Sequence, residues 1–183
     1  MDWNLVTAIC TAVLAFTGVY ALWFASQQLK QNREEAQVQH LLMLSAQYEQ
    51  EPMVTYRKVC AQKRLAGDSE PPEEDRIISF FETVALLVNR GYLKETDVWE
   101  TFSADIFPLY ADARNMIADA QKDDPPTYLN FMSLVKKLKS IEAQQGGTSS
   151  TPSEDDVKGF WQDELDVTAG TPIRHRKRRT TSR

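Results

Sequence analysis

The stretch Glu73–Tyr92, EEDRIISFFETVALLVNRGY, decides how this chain folds. Its apolar residues recur at helical spacing and cover most of the circumference, so the helix predicted here must be surrounded by others. Pro71 and Pro72 precede it, and Glu73, Glu74 and Asp75 complement the positive start of a helix. After Arg90, Gly91 suits a left-handed cap, with Tyr92 packing back near Leu87. Within the helix, Glu82 lies one turn from Ile78 and Leu86, which places a carboxylate at the edge of the core, where a base must meet it. Arg57 and Arg114 are the candidate partners in a structural ion pair. A general acid is the competing role for Glu82, but no second catalytic group accompanies it.

Working outward, the neighbours of that helix are helical too. Met53–Ala66 follows Pro52 and stops at Gly67, with Arg57, Lys58, Lys63 and Arg64 making it the most basic helix and Val54, Val59, Cys60 and Leu65 facing inward. Thr96 is the predicted N-cap of a helix carrying Val98, Trp99, Phe102, Ile106, Leu109, Tyr110, Ala113, Met116 and Ile117, which Pro108 should break or kink. Asp124-Pro125-Pro126 marks the start of a last bundle helix, with Tyr128, Leu129, Phe131, Met132, Leu134, Val135 and Leu138 on its buried side and Lys136, Lys137 and Lys139 near its end. Every connection is short enough for neighbouring helices to run antiparallel.

Towards the amino terminus the pattern changes. No charged residue occurs from Trp3 through Leu29, and Leu5–Ala25 (LVTAICTAVLAFTGVYALWFA) is dominated by apolar side chains. As a helix this segment would extend roughly 31 Å, close to the hydrocarbon thickness of about 30 Å. Trp3 at one end and Tyr20 and Trp23 at the other suit the membrane interfaces. A cleaved signal peptide fits poorly, because there is no positive n-region and bulky Trp23 precedes the only small-residue site, Ala25. Lys30 and Arg33 follow the apolar run directly, so the expected topology is a single-pass cell-membrane protein, with the N-terminus outside and the C-terminal domain cytoplasmic. Thr7, Thr11, Ala15 and Gly18 would permit a homodimer through this helix. Ser26–Gln37 is polar and free of Gly and Pro, as a helical stalk would be, and Val38, Leu41, Leu42, Leu44, Ala46 and Tyr48 then restore an apolar stripe.

The tail has a different composition again. GGTSSTPSEDD, from Gly146, is too polar to fold alone. Within VKGFWQDEL, Phe160, Trp161 and Leu165 have the helical spacing of a docking segment, either for a partner's groove or for this chain's own surface. Arg174, Arg176, Lys177, Arg178 and Arg179 form a basic run whose expected contact is anionic lipid or an acidic partner.

The expected architecture is therefore all-α: a transmembrane anchor over residues 1–27, a stalk over 28–37, a helical bundle over 38–145 and a disordered tail over 146–183. The net charge is -5, with 20 acids against 14 bases in residues 1–153 and 6 against 7 in the remainder, so the bundle is acidic and disfavours nucleic-acid binding. Cys10 and Cys60 fall in different segments and do not form a disulfide framework, and with only His40 and His175 as imidazoles no metal or other cofactor is expected.

The segment FFETVALLVNRGYLKETDVWETF (Phe80–Phe102), followed by Arg114 and the closing helix, resembles a family of bacterial, N-terminally membrane-anchored helical proteins of unknown function. The resemblance spans most of residues 5–140 and rests on apolar positions together with Glu82, Gly91 and Arg114. It implies an anchor and a helical fold without an assigned activity. The functional expectation is a membrane-tethered interaction or scaffold module that binds lipid and a protein partner. Its alternatives are an anchored enzyme using carboxylates such as Glu82 with Asp105 or Asp112, and an accessory subunit of a membrane complex.

Overall fold

A computed structural model describes the backbone of residues 3–68, 70–146 and 151–168, and the side chains of these except 4–15 and 167–168. Among the described residues seven helices occur in the order α1 (Trp3–Tyr48), α2 (Met53–Leu65), α3 (Pro72–Asn89), α4 (Glu95–Asp112), α5 (Arg114–Asp123), α6 (Leu129–Gln144) and α7 (Glu154–Thr168). Among the described residues there is no strand. The chain divides into two compact units, residues 1–39 and 40–183.

In the first unit, the described part of α1 keeps its large apolar side chains in the open. Phe16, Val19, Leu22, Trp23 and Leu29 are all more than half exposed, as is Tyr20, whose ring lies 6.0 Å from that of Trp23. Ser26 Oγ donates to the Trp23 carbonyl at 2.6 Å, returning the only hydroxyl of that turn to the helix backbone. Among the described residues, no helix is long and apolar enough to cross a membrane. The side chains of residues 4–15, about half of the expected span, lie outside the described residues.

The second unit is built around α3, as its all-round apolar character requires. Ile77, Ile78, Phe80, Phe81, Val84, Ala85 and Val88 are buried against α2, α4 and α6. Rings from four elements meet there: Tyr48 lies 5.3 Å from Phe80 and Phe81, and Phe81 lies 5.8 Å from Phe102 and 6.1 Å from Phe131. Such pairs contribute about 0.5–1.5 kcal/mol each beyond the area they bury.

Helix termination follows the residues expected to cause it. Gly91 takes φ +74°, the Tyr92 amide donates to the Leu87 carbonyl at 2.9 Å, and the Gly91 amide donates to Val88 at 3.0 Å. Gly67 (φ +96°) closes α2 in the same way, with the Asp68 amide donating to Lys63. In both places the left-handed residue turns the chain back so that otherwise unpaired carbonyls find donors.

Four local expectations are corrected. Pro108 lies inside α4, and the interruption falls instead at Ala113 (φ -78°, ψ 0°). Proline deprives a single carbonyl of its donor, a loss that the burial of Phe102, Ile106 and Leu109 along α4 outweighs. The N-cap of α4 is Lys94 rather than Thr96, which sits in the first turn. On α1 the stripe that meets the core is narrower than expected: Leu44 and Tyr48 are buried, whereas Leu42 and Val38 are more than half exposed. Residues 146–183 are not disordered throughout, because α7 forms within them and buries Phe160 and Trp161.

Candidate functional site

Among the described residues of the bundle unit, four charged or polar side chains are buried: Arg57, Glu74, Ser103 and Glu164. Three of them sit where four helices meet. On α2, Cys60 and Ala61 lie three and four residues after Arg57 and four and three before Arg64, so the two guanidinium groups share the face that looks onto α3 and α7.

Arg57 is only 5 % exposed. Its Nε donates to Glu164 Oε2 at 2.7 Å and its Nη1 to the Tyr48 carbonyl at 3.0 Å, while the guanidinium lies 4.0 Å from the centre of the Tyr48 ring. Burial alone would lower its pKa, but Tyr48, Glu164, Asp105 and Glu49 hold it above the ordinary value. The buried cation is therefore compensated by a carboxylate, a carbonyl and a ring face, as a charge in this position must be.

Arg64 binds two carboxylates at once. Its Nη2 donates to Glu74 Oε2 at 2.6 Å, and its Nε lies 3.0 Å from Asp112 Oδ2. The same Asp112 oxygen accepts from Trp161 Nε1 of α7 at 2.6 Å. Glu74 is fully enclosed, and among the described residues its Oε1 has no hydrogen-bond partner. Burial pushes its pKa up to about 7 against the opposing pull of Arg64. The neighbouring Cys60 thiol is also pushed up, by burial first and then by Glu74, which leaves it a protonated, unreactive packing group.

Beside this network lies an open cleft of about 640 Å³, lined by Arg64, Asp112, Arg114, Thr151, Lys158 and Trp161 among others. Cations and carboxylates alternate around it, and both Arg64 and Asp112 are already engaged with each other. Among the described residues, no group of three or more His, Cys, Asp or Glu is placed to hold a metal ion.

The residues singled out in the sequence separate into distinct environments. Glu82 meets neither Arg57 nor Arg114. Its Oε1 accepts from the Asn130 side chain at 2.7 Å and from the Asn130 amide at 3.2 Å, and its Oε2 accepts from the Phe131 amide at 2.6 Å. The carboxylate thus caps the second and third residues of α6, where free amide donors and the helix dipole favour a negative charge. Arg114 is exposed, 5.5 Å above the Tyr110 ring, and at 3.5 Å from Thr151 Oγ1. Phe160 and Trp161 dock on this chain's own α2 and α4, with Leu165 packed partly buried beside them. Trp3, Tyr20, Trp23, Lys30 and Arg33 are exposed on α1. The basic run Arg174, Arg176, Lys177, Arg178 and Arg179 lies outside the described residues.

Glu74, Arg64 and Glu164 were not foreseen as a network, yet a signal for each exists. Glu74 precedes Ile77, Ile78 and Phe81 at the spacing of the core face of α3, and Glu164 follows Phe160 and Trp161 in the same manner. A charge on an apolar stripe marks a buried charge.

A model of a domain of unknown function, DUF4760, matches residues 6–138. No curated protein and no solved structure matches the chain. The matched segment includes α2, α3 and α4, which supply Arg57, Arg64, Glu74 and Asp112, and it ends before α7, which supplies Trp161 and Glu164.

Proposed function

The chain belongs to the DUF4760 family, which brings no activity with it, and from the make-up of its two units we propose that it is a single-pass membrane-tethered interaction module. One observation carries the tether: the uncharged stretch Trp3–Leu29 is helical, and its described large apolar residues, Phe16, Val19, Leu22, Trp23 and Phe24, stand at least half exposed. Lipid covers such side chains at no cost, whereas water charges roughly 25 cal/mol for each Å² of apolar surface left wet. The basic residues Lys30 and Arg33 directly after that stretch support a cytoplasmic side for the bundle.

The interaction role is supported by the bundle's own surface. Leu42, Met43, Tyr92 and Leu129 are more than half exposed on it, apolar area available for a partner to cover. Flotation of the purified full chain with liposomes tests the tether, and protease protection tests the sidedness. Co-flotation at high salt is the expected result; recovery of the chain in the dense fraction overturns the proposal.

A further inference from the structure

We infer that the cleft where the end of α2 and the junction of α4 with α5 face the first turns of α7 binds a small zwitterion with an apolar body, the class of an α-amino acid with an aliphatic side chain. This goes beyond the interaction-module reading and depends neither on the membrane tether nor on a protein partner.

Six charged side chains line this cleft, three of each sign, and they divide into two kinds. Arg64 and Asp112 are committed to the interior: they meet at 3.0 Å, Arg64 also binds Glu74, and Asp112 also accepts from Trp161. The other four, Arg114 and Lys158 against Asp68 and Glu154, are exposed, and among the described residues none has an ion-pair partner within 4.0 Å. A ligand bearing only negative charge would leave Asp68 and Glu154 facing a like charge, and one bearing only positive charge would meet Arg114 and Lys158. A molecule with one group of each sign satisfies both sets.

Two of these groups are held in place before any ligand arrives. The Arg114 guanidinium lies 5.5 Å from the centre of the Tyr110 ring, and its Nη2 donates to Thr151 Oγ1 at 3.5 Å, which leaves further N–H groups of its planar fork for a carboxylate. Asp68 follows the left-handed turn at Gly67 (φ +96°), and its Oδ1 accepts from the Glu70 amide at 3.1 Å, while its Oδ2 has no partner among the described residues and can accept from an ammonium group. Leu65, Val157 and Trp161 supply the apolar wall between the charges. At about 640 Å³ the cleft has the size of small-molecule sites, and a ligand can enter it with α7 in place.

The full chain in detergent micelles, isotopically labelled for NMR, is titrated with leucine, with isocaproate, which keeps the carboxylate and the aliphatic body, and with isoamylamine, which keeps the ammonium group and the body. The Trp161 indole and Arg114 guanidinium signals should shift with leucine and saturate with a Kd on the order of 1 mM, and each analogue should bind at least about tenfold more weakly. Arg114→Gln should weaken leucine binding at least about fivefold and erase its advantage over isoamylamine, while Asp68→Asn should erase its advantage over isocaproate. Both residues are exposed, so neither change should move the melting temperature. The comparison of the three ligands uses the unaltered chain alone, so a variant that fails to fold leaves the test intact. Absence of shifts up to about 20 mM leucine, binding of either analogue as tight as that of leucine, or wild-type affinity in either folded variant overturns the inference.

Discussion

Arg57 of α2 and Glu164 of α7 stand 107 positions apart in the chain and share one buried contact, with Nη2 of the arginine 2.6 Å from Oε2 of the glutamate. The pair joins a helix of the family-matched segment to one outside it. Each group is almost wholly removed from water, so each needs the other.

Removing one partner should therefore cost more than removing both. Glu164→Leu alone should lower unfolding stability by about 3 kcal/mol, the usual penalty for removing one partner of a buried ion pair. Arg57→Met combined with Glu164→Leu should recover most of it, because two packed apolar chains need no counter-charge. Urea unfolding of the four members of the cycle measures both values; additive losses would contradict the coupling.

Glu74 makes stability depend on pH in a direction opposite to that of most carboxylates. Its pKa is raised from 4.5 to about 7 in the folded chain, so between these values the folded state binds more protons than the unfolded state. Stability contributed by this group is then fully present below pH 4.5 and is lost as pH rises towards 7, by roughly 3 kcal/mol in all. Glu74→Gln should flatten that part of the profile. Thermal unfolding from pH 5 to pH 8 is the measurement, and an unchanged slope in the variant would contradict the assignment.

Glu82 should behave as a helix cap and not as half of an ion pair. Glu82→Ala should destabilise the bundle by about 1–2 kcal/mol through the Asn130 and Phe131 amides it leaves unpaired. Arg114→Ala should leave the melting temperature unchanged, since its guanidinium rests on the surface. Equal losses from the two variants would restore the pairing that the sequence suggests.

The basic run near the carboxyl terminus should strengthen association with anionic lipid. Each basic side chain near such a surface is worth about 1 kcal/mol at low salt. Deleting Arg174–Arg183 should reduce binding to phosphatidylserine vesicles at low ionic strength and remove its salt dependence, while leaving binding to neutral vesicles as it was. Identical salt curves would exclude the lipid contact.

How much of this the residues announce depends on whether the cause is local. The position of α3 at the centre is legible because IISFFETVALLV leaves no polar face, and its end is legible because Gly91 can adopt φ +74° without a side-chain clash. The continuation of α4 through Pro108 is not, because tertiary burial of Phe102, Ile106 and Leu109 decides it. Glu82 could be recognised as a carboxylate in need of a partner, but its partners are backbone amides of α6, visible only when two helix positions are known together. Phe160 and Trp161 announce a docking helix by their spacing, whereas the surface they choose depends on Arg57 and Asp112, which lie far away in sequence.

The account turns on whether lipid holds residues 5–25. Membranes containing the full chain, washed in alkaline carbonate and sedimented, measure this most directly. Retention of the chain in the pellet, abolished by Leu14→Arg with Val19→Arg, is the predicted result; release of the unaltered chain into the supernatant would contradict it.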